Sequence, residues 1–239
     1  SNNDKNWAWL KAVKNHEVCI DPAQPSRTGG TGFIMRDLRR TSAGDDMRVD
    51  IALQGPQSMN ILLAMEGLDE DKHAVAQLAW AGLTRVNLGG FDLIVSRTGY
   101  TGERKAYELF VHPDHAADLF KYLVELGAAP CGLAARDSLR TEAGLPLYGH
   151  ELRDTLTPLH AGLGRFVKDS PAYIGREALL RVQDVGIEAR WTGLVLESKS
   201  PVNPDDPVYS VADVASFVTV LVQSTSFGTS IAEALRVYA

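Results

Sequence analysis

Residues 83–111 read LTRVNLGGFDLIVSRTGYTGERKAYELFV, and this stretch decides the predicted fold. Its first two segments, Leu83–Leu88 and Phe91–Ser96, alternate around Gly89-Gly90, which is the pattern of a β-hairpin with a tight turn. A further strand is predicted at Ala106–Val111, where apolar residues dominate. The stretch therefore predicts three strands in close succession.

Helices are predicted before and after these strands. Residues 113–126 give the clearest signal, because their apolar side chains fall on one helical face and Gly127 is a natural stop. The remaining helices are predicted at residues 4–14, from Pro56 onward and at 69–80, with strands at 18–20, 33–38 and 49–54.

The character of the chain changes after residue 189. From Trp191 onward, short β-rich segments are separated by proline and glycine, and residues 201–207 read as a rigid loop. We therefore predict an α/β or α+β core over residues 1–188 and a smaller β domain over residues 189–239.

Composition narrows the class of protein. The chain has 239 residues, 45% of them hydrophobic, and a formal net charge of −6, which disfavours nucleic acid and anionic membranes as partners. Two cysteines, Cys19 and Cys131, suit a reducing compartment and give neither a disulfide framework nor a zinc site. The pair His112 and His115 has no evident third ligand, so no metal is predicted. The expected location is the cytoplasm.

Glu108 is the charged residue of an otherwise apolar predicted strand. A two-residue period places it on the face opposite Tyr107, Leu109 and Val111. It is either a half-exposed edge position or a carboxylate that accepts two parallel N–H donors from a heterocycle, since such charge-assisted pairs are strong and fix orientation.

Two neighbouring segments also leave two interpretations open. In the predicted helix over residues 132–143, Arg136, Asp137 and Arg140 share a face, either as a solvated salt-bridged surface or as an anion clamp. In the turn over residues 97–102, two glycines frame Tyr100, either as ordinary turn chemistry or to let the backbone and the ring approach a ligand.

Together these segments resemble the glycine-cleavage T-protein, or aminomethyltransferase, family. The similarity rests on RTGYTGE at residues 97–103, CGLAARDSLRTEAGLPLYG at 131–149, YGHEL at 148–152 and YIGREAL at 173–179, in the family's order and spacing. It is strong over residues 97–179 and poor after residue 214.

The resemblance implies a fold and a reaction. The family has α+β folate-binding domains, with helices on mixed or antiparallel sheets around a central site, followed by a small C-terminal β-barrel, which we expect to be incomplete here. The reaction transfers the one-carbon unit of an aminomethyl group, carried on the lipoyl arm of the H-protein, to the co-substrate tetrahydrofolate and releases ammonia. The resemblance therefore implies a lipoylated H-protein as the partner and, in a eukaryote, the mitochondrial matrix as the location.

The resemblance also implies roles for individual residues. The family's pterin-binding glutamate corresponds to Glu108, its folate-site arginine to Arg136 and its ring-contacting tyrosine to Tyr100. Arg165 stands where many members have a tryptophan that lines the folate. The family's catalytic aspartate corresponds to a position upstream of Ser1, so no catalytic residue is assigned.

Two rival functions stay open at this point. One is a folate-dependent demethylase of the same fold, which would form methyl- rather than methylene-tetrahydrofolate. The other is a folate-binding protein without catalytic activity, because the family's aspartate has no counterpart in the sequence and the chain is expected to lack an N-terminal part.

Overall fold

The computed structural model describes residues 3–19, 24, 34–168, 173–187 and 191. The chain divides into two compact units, one formed by residues 35–145 and the other by residues 1–34 together with 146–239. The predicted α+β class is confirmed for the described residues, which combine helices with an antiparallel sheet.

The unit of residues 35–145 is built on one four-stranded sheet. Its strands are β1 (Val49–Gln54), β2 (Leu83–Leu88), β3 (Phe91–Ser96) and β4 (Ala106–Val111), in the order β1-β4-β3-β2. All neighbours are antiparallel. The predicted hairpin is confirmed: β2 pairs with β3 around Gly89 and Gly90, whose φ angles of 60° and 79° suit glycine best.

Three helices cover one face of this sheet. They are α2 (Ser58–Ala64), α3 (Asp69–Ala76) and α4 (Pro113–Glu125). Each contributes buried apolar side chains to a single core with the inward residues of the strands: Leu53, Ile61, Leu62, Met65, Val75, Val86, Leu88, Leu93, Val95, Tyr107, Leu109, Val111, Leu119 and Leu123. The alternation of β4 is as predicted, so Glu108 lies on the other face.

The predicted start of α4 is confirmed. Pro113 occupies the first turn, where its missing N–H costs no hydrogen bond, and the His112 side chain accepts a hydrogen bond from the Asp114 backbone N–H at 3.3 Å. Leu119 and Leu123 are buried against the sheet, and Leu126 follows the helix as its C-cap. The helix therefore packs on the core side of the sheet.

Some predicted elements are wrong. The described part of residues 33–38 contains no strand; there the Asp37 carboxylate accepts hydrogen bonds from the backbone and side chain of Arg39, a local turn that competes with strand pairing. The predicted strand at 18–20 is likewise absent from its described residues. Helix α3 ends at Ala76 rather than near residue 80: the Gln77 backbone N–H still bonds to the carbonyl of His73, four residues back, but the Leu78 N–H bonds to that of Val75, three residues back.

The other unit contains α1 (Asn3–Lys14) and α6 (Arg176–Val185) among its described residues. Helix α1 agrees with the prediction for residues 4–14. Within this unit Lys5 Nζ lies 2.7 Å from the Tyr148 hydroxyl and also pairs with Asp154. The predicted C-terminal barrel and the boundary near residue 189 lie outside the described residues.

Candidate functional site

The candidate site lies on the sheet face that α2–α4 leave uncovered, which we call the second face. Its residues alternate with the core residues along the strands: Asp50, Ala52 and Gln54 on β1, Ala106, Glu108 and Phe110 on β4, and Ile94 and Ser96 on β3. Carboxylate, amide and hydroxyl groups are thus grouped on one side of a rigid sheet.

Glu108 lies at the middle of the second face. In the register, Ala52 and Ser96 are its partners on the two neighbouring strands. The Thr98 hydroxyl donates a hydrogen bond to Glu108 Oε2 and lies 3.0 Å from the Ser96 hydroxyl oxygen. Within the described ranges no donor contacts the other carboxylate oxygen, so Glu108 is held in place yet keeps acceptor capacity.

The turn after β3 is fixed by close packing at its two glycines. A Cβ atom on Gly99 would lie 2.5 Å from the Ala106 Cβ and 2.8 Å from Gln54 Oε1, and one on Gly102 would lie 2.4 Å from the Ala143 Cβ. Both glycines are therefore required by the protein's own packing, which favours the turn-chemistry interpretation for them. A further bond from the Thr101 hydroxyl to Gln54 Oε1, at 2.6 Å, anchors the turn to β1.

This turn brings Tyr100 to helix α5 (Leu133–Glu142), which agrees with the prediction for residues 132–143. Arg136 Cζ lies 5.7 Å from the centre of the Tyr100 ring, within the range of a cation–π contact. The Arg136 side chain is exposed. An aromatic face and a guanidinium therefore stand together. That they form a folate site with Glu108 stays a prediction.

The two arginines of α5 differ in their surroundings. Arg140 is buried, with 3% of its surface exposed, and forms an ion pair with Asp137 at 2.6 Å and a hydrogen bond to the Leu145 carbonyl at 3.3 Å. The anion-clamp interpretation of the pair is therefore not supported at Arg140, whose guanidinium has a structural role. Arg136 retains the exposure that a ligand contact needs.

Sequence reasoning missed Asp50. This carboxylate lies on the second face, on the strand next to Glu108, and retains access to solvent. The surrounding protein removes part of its hydration, which together with the nearby negative charge of Glu108 raises its pKa to about 6, while Arg136 acts in the opposite direction. A signal was available in the sequence, because the apolar residues Val49, Ile51 and Leu53 predict that Asp50 lies on the opposite face of β1. The pairing of β1 with β4, which places Asp50 beside Glu108, joins distant parts of the chain and gives no local signal.

Arg165 belongs to the other unit. It lies in a short 3-10 turn, Gly164–Phe166, is exposed, and has its Cζ 4.8 Å from the centre of the Phe166 ring. Its assignment to the folate site stays a prediction.

Metal-binding clusters and membrane-spanning helices are absent from the part of the chain that the structure describes. No group of three or more His, Cys, Asp or Glu side chains is arranged there to hold a metal ion. Cys19 and Cys131 are exposed free thiols. Among the described helices, none has the length and apolar character needed to cross a bilayer.

The fold and the site define an α+β protein whose polar site is centred on a carboxylate on a sheet face. A family model described as the GCVT N-terminal domain matches residues 2–170. The chain belongs to this family, that of the glycine-cleavage T-protein.

The relatives agree with this assignment. An aminomethyltransferase of Streptomyces avermitilis is 39% identical over 93% of this chain and 59% of its own length, and one of Exiguobacterium sibiricum is 36% identical over 86% and 54%. The crystal structure of the glycine cleavage system aminomethyltransferase T from Bartonella henselae matches with a TM-score of 0.54 and 31% identity, over 65% of this chain and 42% of that one. The chain thus spans a little over half the length of these two curated relatives.

Proposed function

We propose that this chain forms the pterin-binding part of a tetrahydrofolate-dependent aminomethyltransferase of the glycine cleavage system. The observation that carries the proposal is the Glu108 carboxylate, held on the second face by the hydroxyl of Thr98, which leads into the turn that brings Tyr100 to Arg136. Family membership supports the reaction class, and the bacterial relatives support a cytoplasmic location.

The residues present fit such a ligand. A pterin ring offers parallel N–H donors on one edge, and Glu108 has an oxygen that no described donor contacts. Thr98 bonds to the other oxygen and so fixes the plane of the carboxylate before the ligand arrives. Preorganisation of this kind reduces the ordering cost of binding.

Tyr100 and Arg136 supply the remaining contacts in this proposal. The tyrosine ring presents a flat apolar surface to a flat heterocycle, and the exposed guanidinium attracts the anionic tail of a folate. Tetrahydrofolate itself supplies the amine that takes up the one-carbon unit. The chain's contribution is to orient that amine toward an aminomethyl group carried on a lipoylated H-protein, which is a positioning role.

Replacing Glu108 by glutamine tests the proposal. The change keeps the shape but exchanges an ionised double acceptor for a neutral amide, so tetrahydrofolate affinity should fall by roughly 1.5–3 kcal/mol, or about 10- to 150-fold. Arg136→Lys should also weaken binding, because an ammonium does not replace a planar fork. Titration calorimetry measures both changes.

The matched control is Glu125→Gln at the C-terminal end of α4, which packs on the opposite face of the sheet. It removes one exposed carboxylate of the same kind and should leave affinity unchanged. Equal affinities for Glu108→Gln and the unsubstituted chain would overturn the pterin assignment. Where turnover is observed, methylene- rather than methyl-tetrahydrofolate as product distinguishes the proposed reaction from a demethylase.

A further inference from the structure

Asp50 and Glu108 form an acidic pair on adjacent strands. In the register, Ala52 is the partner of Glu108 and Phe110 the partner of Asp50, so the two carboxylates are diagonal neighbours on the second face. Diagonal neighbours on one face of an antiparallel pair lie about 7–8 Å apart at the backbone, within electrostatic range of one another. The pair belongs to the sheet itself and does not depend on a loop.

The charged surroundings of Asp50 leave it poorly compensated. Glu108 on β4 repels its negative charge, and Arg136 on α5 attracts it. Arg48, two residues earlier in the chain, is buried and forms an ion pair with Asp92 of β3 at 2.7 Å, and Asp92 is also paired with Arg85 of β2. Among the described residues, Arg136 is therefore the basic group that acts on Asp50, because Arg48 and Arg85 are paired with Asp92.

We propose that Asp50 is a positioning residue of the ligand site, which takes up one proton from solvent at its carboxylate when a neutral heterocycle binds to Glu108. This inference rests on the proposed function. Glu108 must remain ionised, because it is the acceptor for the ligand's N–H groups. A ring lying over the second face displaces water from both carboxylates, and only one of two neighbouring negative charges can then be kept at low cost.

The direction of the pH dependence follows from this reasoning. The pKa of Asp50 is already raised to about 6 before a ligand binds. Ligand binding that raises this pKa further takes up a proton. The affinity for the ligand therefore falls as the pH rises above about 6, by up to roughly tenfold per pH unit when one full proton is taken up. A ligand that placed a cation over the pair would do the opposite and release a proton.

The test is calorimetric titration of the chain with tetrahydrofolate at pH 7 in buffers of different ionisation enthalpy. The dependence of the observed enthalpy on the buffer gives the number of protons exchanged. We expect uptake of more than about 0.5 proton per ligand by the unsubstituted chain and close to none by Asp50→Asn. Between pH 6 and 8 the affinity of Asp50→Asn should also lose the slope seen in the unsubstituted chain.

A second acidic residue provides the control. Asp118→Asn removes an exposed carboxylate from α4, which packs on the opposite face, and should leave proton uptake unchanged. Three results would overturn the inference and leave a Glu108-dependent folate site intact. They are proton uptake that persists in Asp50→Asn, absence of uptake in the unsubstituted chain, and release of a proton. No binding of tetrahydrofolate by the folded chain would overturn the inference and the proposed function together.

Discussion

Replacing Gly102 by alanine tests how the Tyr100 turn is held against α5. Gly102 has φ +80°, and an added Cβ would lie 2.4 Å from the Ala143 Cβ, where ordinary contact between carbon atoms is about 3.5–4.0 Å. The left-handed backbone costs a non-glycine residue roughly 1–2 kcal/mol. The overlap adds about 1–3 kcal/mol, as overpacking does elsewhere. We therefore expect Gly102→Ala to lower the free energy of unfolding by about 2–5 kcal/mol.

Three further variants separate the backbone cost from the overlap. Gly90→Ala has a similar φ of +79° and no neighbouring atom within 4 Å, so it should cost only the backbone share, about 1–2 kcal/mol. Combining Gly102→Ala with Ala143→Gly removes the clashing Cβ and should recover most of the overlap share. The Ala143→Gly single variant, expected to cost up to about 1 kcal/mol, completes the cycle.

The assay is urea unfolding of the four variants and the unsubstituted chain, with the m-values compared to check that the transitions are alike. Tetrahydrofolate affinity should fall in Gly102→Ala and recover in the double variant, because the turn carries Tyr100 to Arg136. Equal destabilisation by Gly102→Ala and Gly90→Ala, or no recovery in the double variant, would refute the described packing of the turn against α5.

Further predictions concern the core, the second face and the buried arginine. Leu109→Ala should lower the free energy of unfolding in urea by roughly 2–5 kcal/mol, because Leu109 is fully buried in the core; a loss below this range would contradict the core position of β4. Since the folded protein raises the pKa of Asp50 from 3.8 to about 6, its ionised form is destabilising above that pH. Asp50→Asn should therefore raise the melting temperature at pH 7.5 but not at pH 3.5; equal gains at both would count against this. Asp137→Ala should lower the free energy of unfolding by about 1.5–3 kcal/mol, because it removes the carboxylate paired with buried Arg140. A loss under about 0.5 kcal/mol would contradict a structural role for this ion pair.

The sequence predicted those elements whose signals lie within a few residues. The Gly89-Gly90 hairpin and helix α4 were recovered because turn chemistry, alternation and helical periodicity are local. The position of Glu108 on the face away from the core followed from the two-residue period of β4. Arg136 and Tyr100 came from the resemblance to the T-protein family.

Distant contacts account for what the sequence did not reveal. The segment after the early end of α3 is tied to Arg97, far along the chain, through the Leu78 carbonyl and the Ala81 backbone N–H. Asp50 looked like an ordinary strand residue until the pairing of β1 with β4 placed it beside Glu108. Both outcomes depend on register between separated segments, which single-sequence patterns do not encode.

A crystal structure of the chain grown with tetrahydrofolate tests the central claim most directly, since that claim is a location. We predict that the pterin edge donates two hydrogen bonds to the Glu108 carboxylate, with Tyr100 against the ring and Arg136 toward the anionic tail. Tetrahydrofolate bound elsewhere on the chain, with the Glu108 carboxylate bonded only to Thr98 as it is now, would contradict the proposed site.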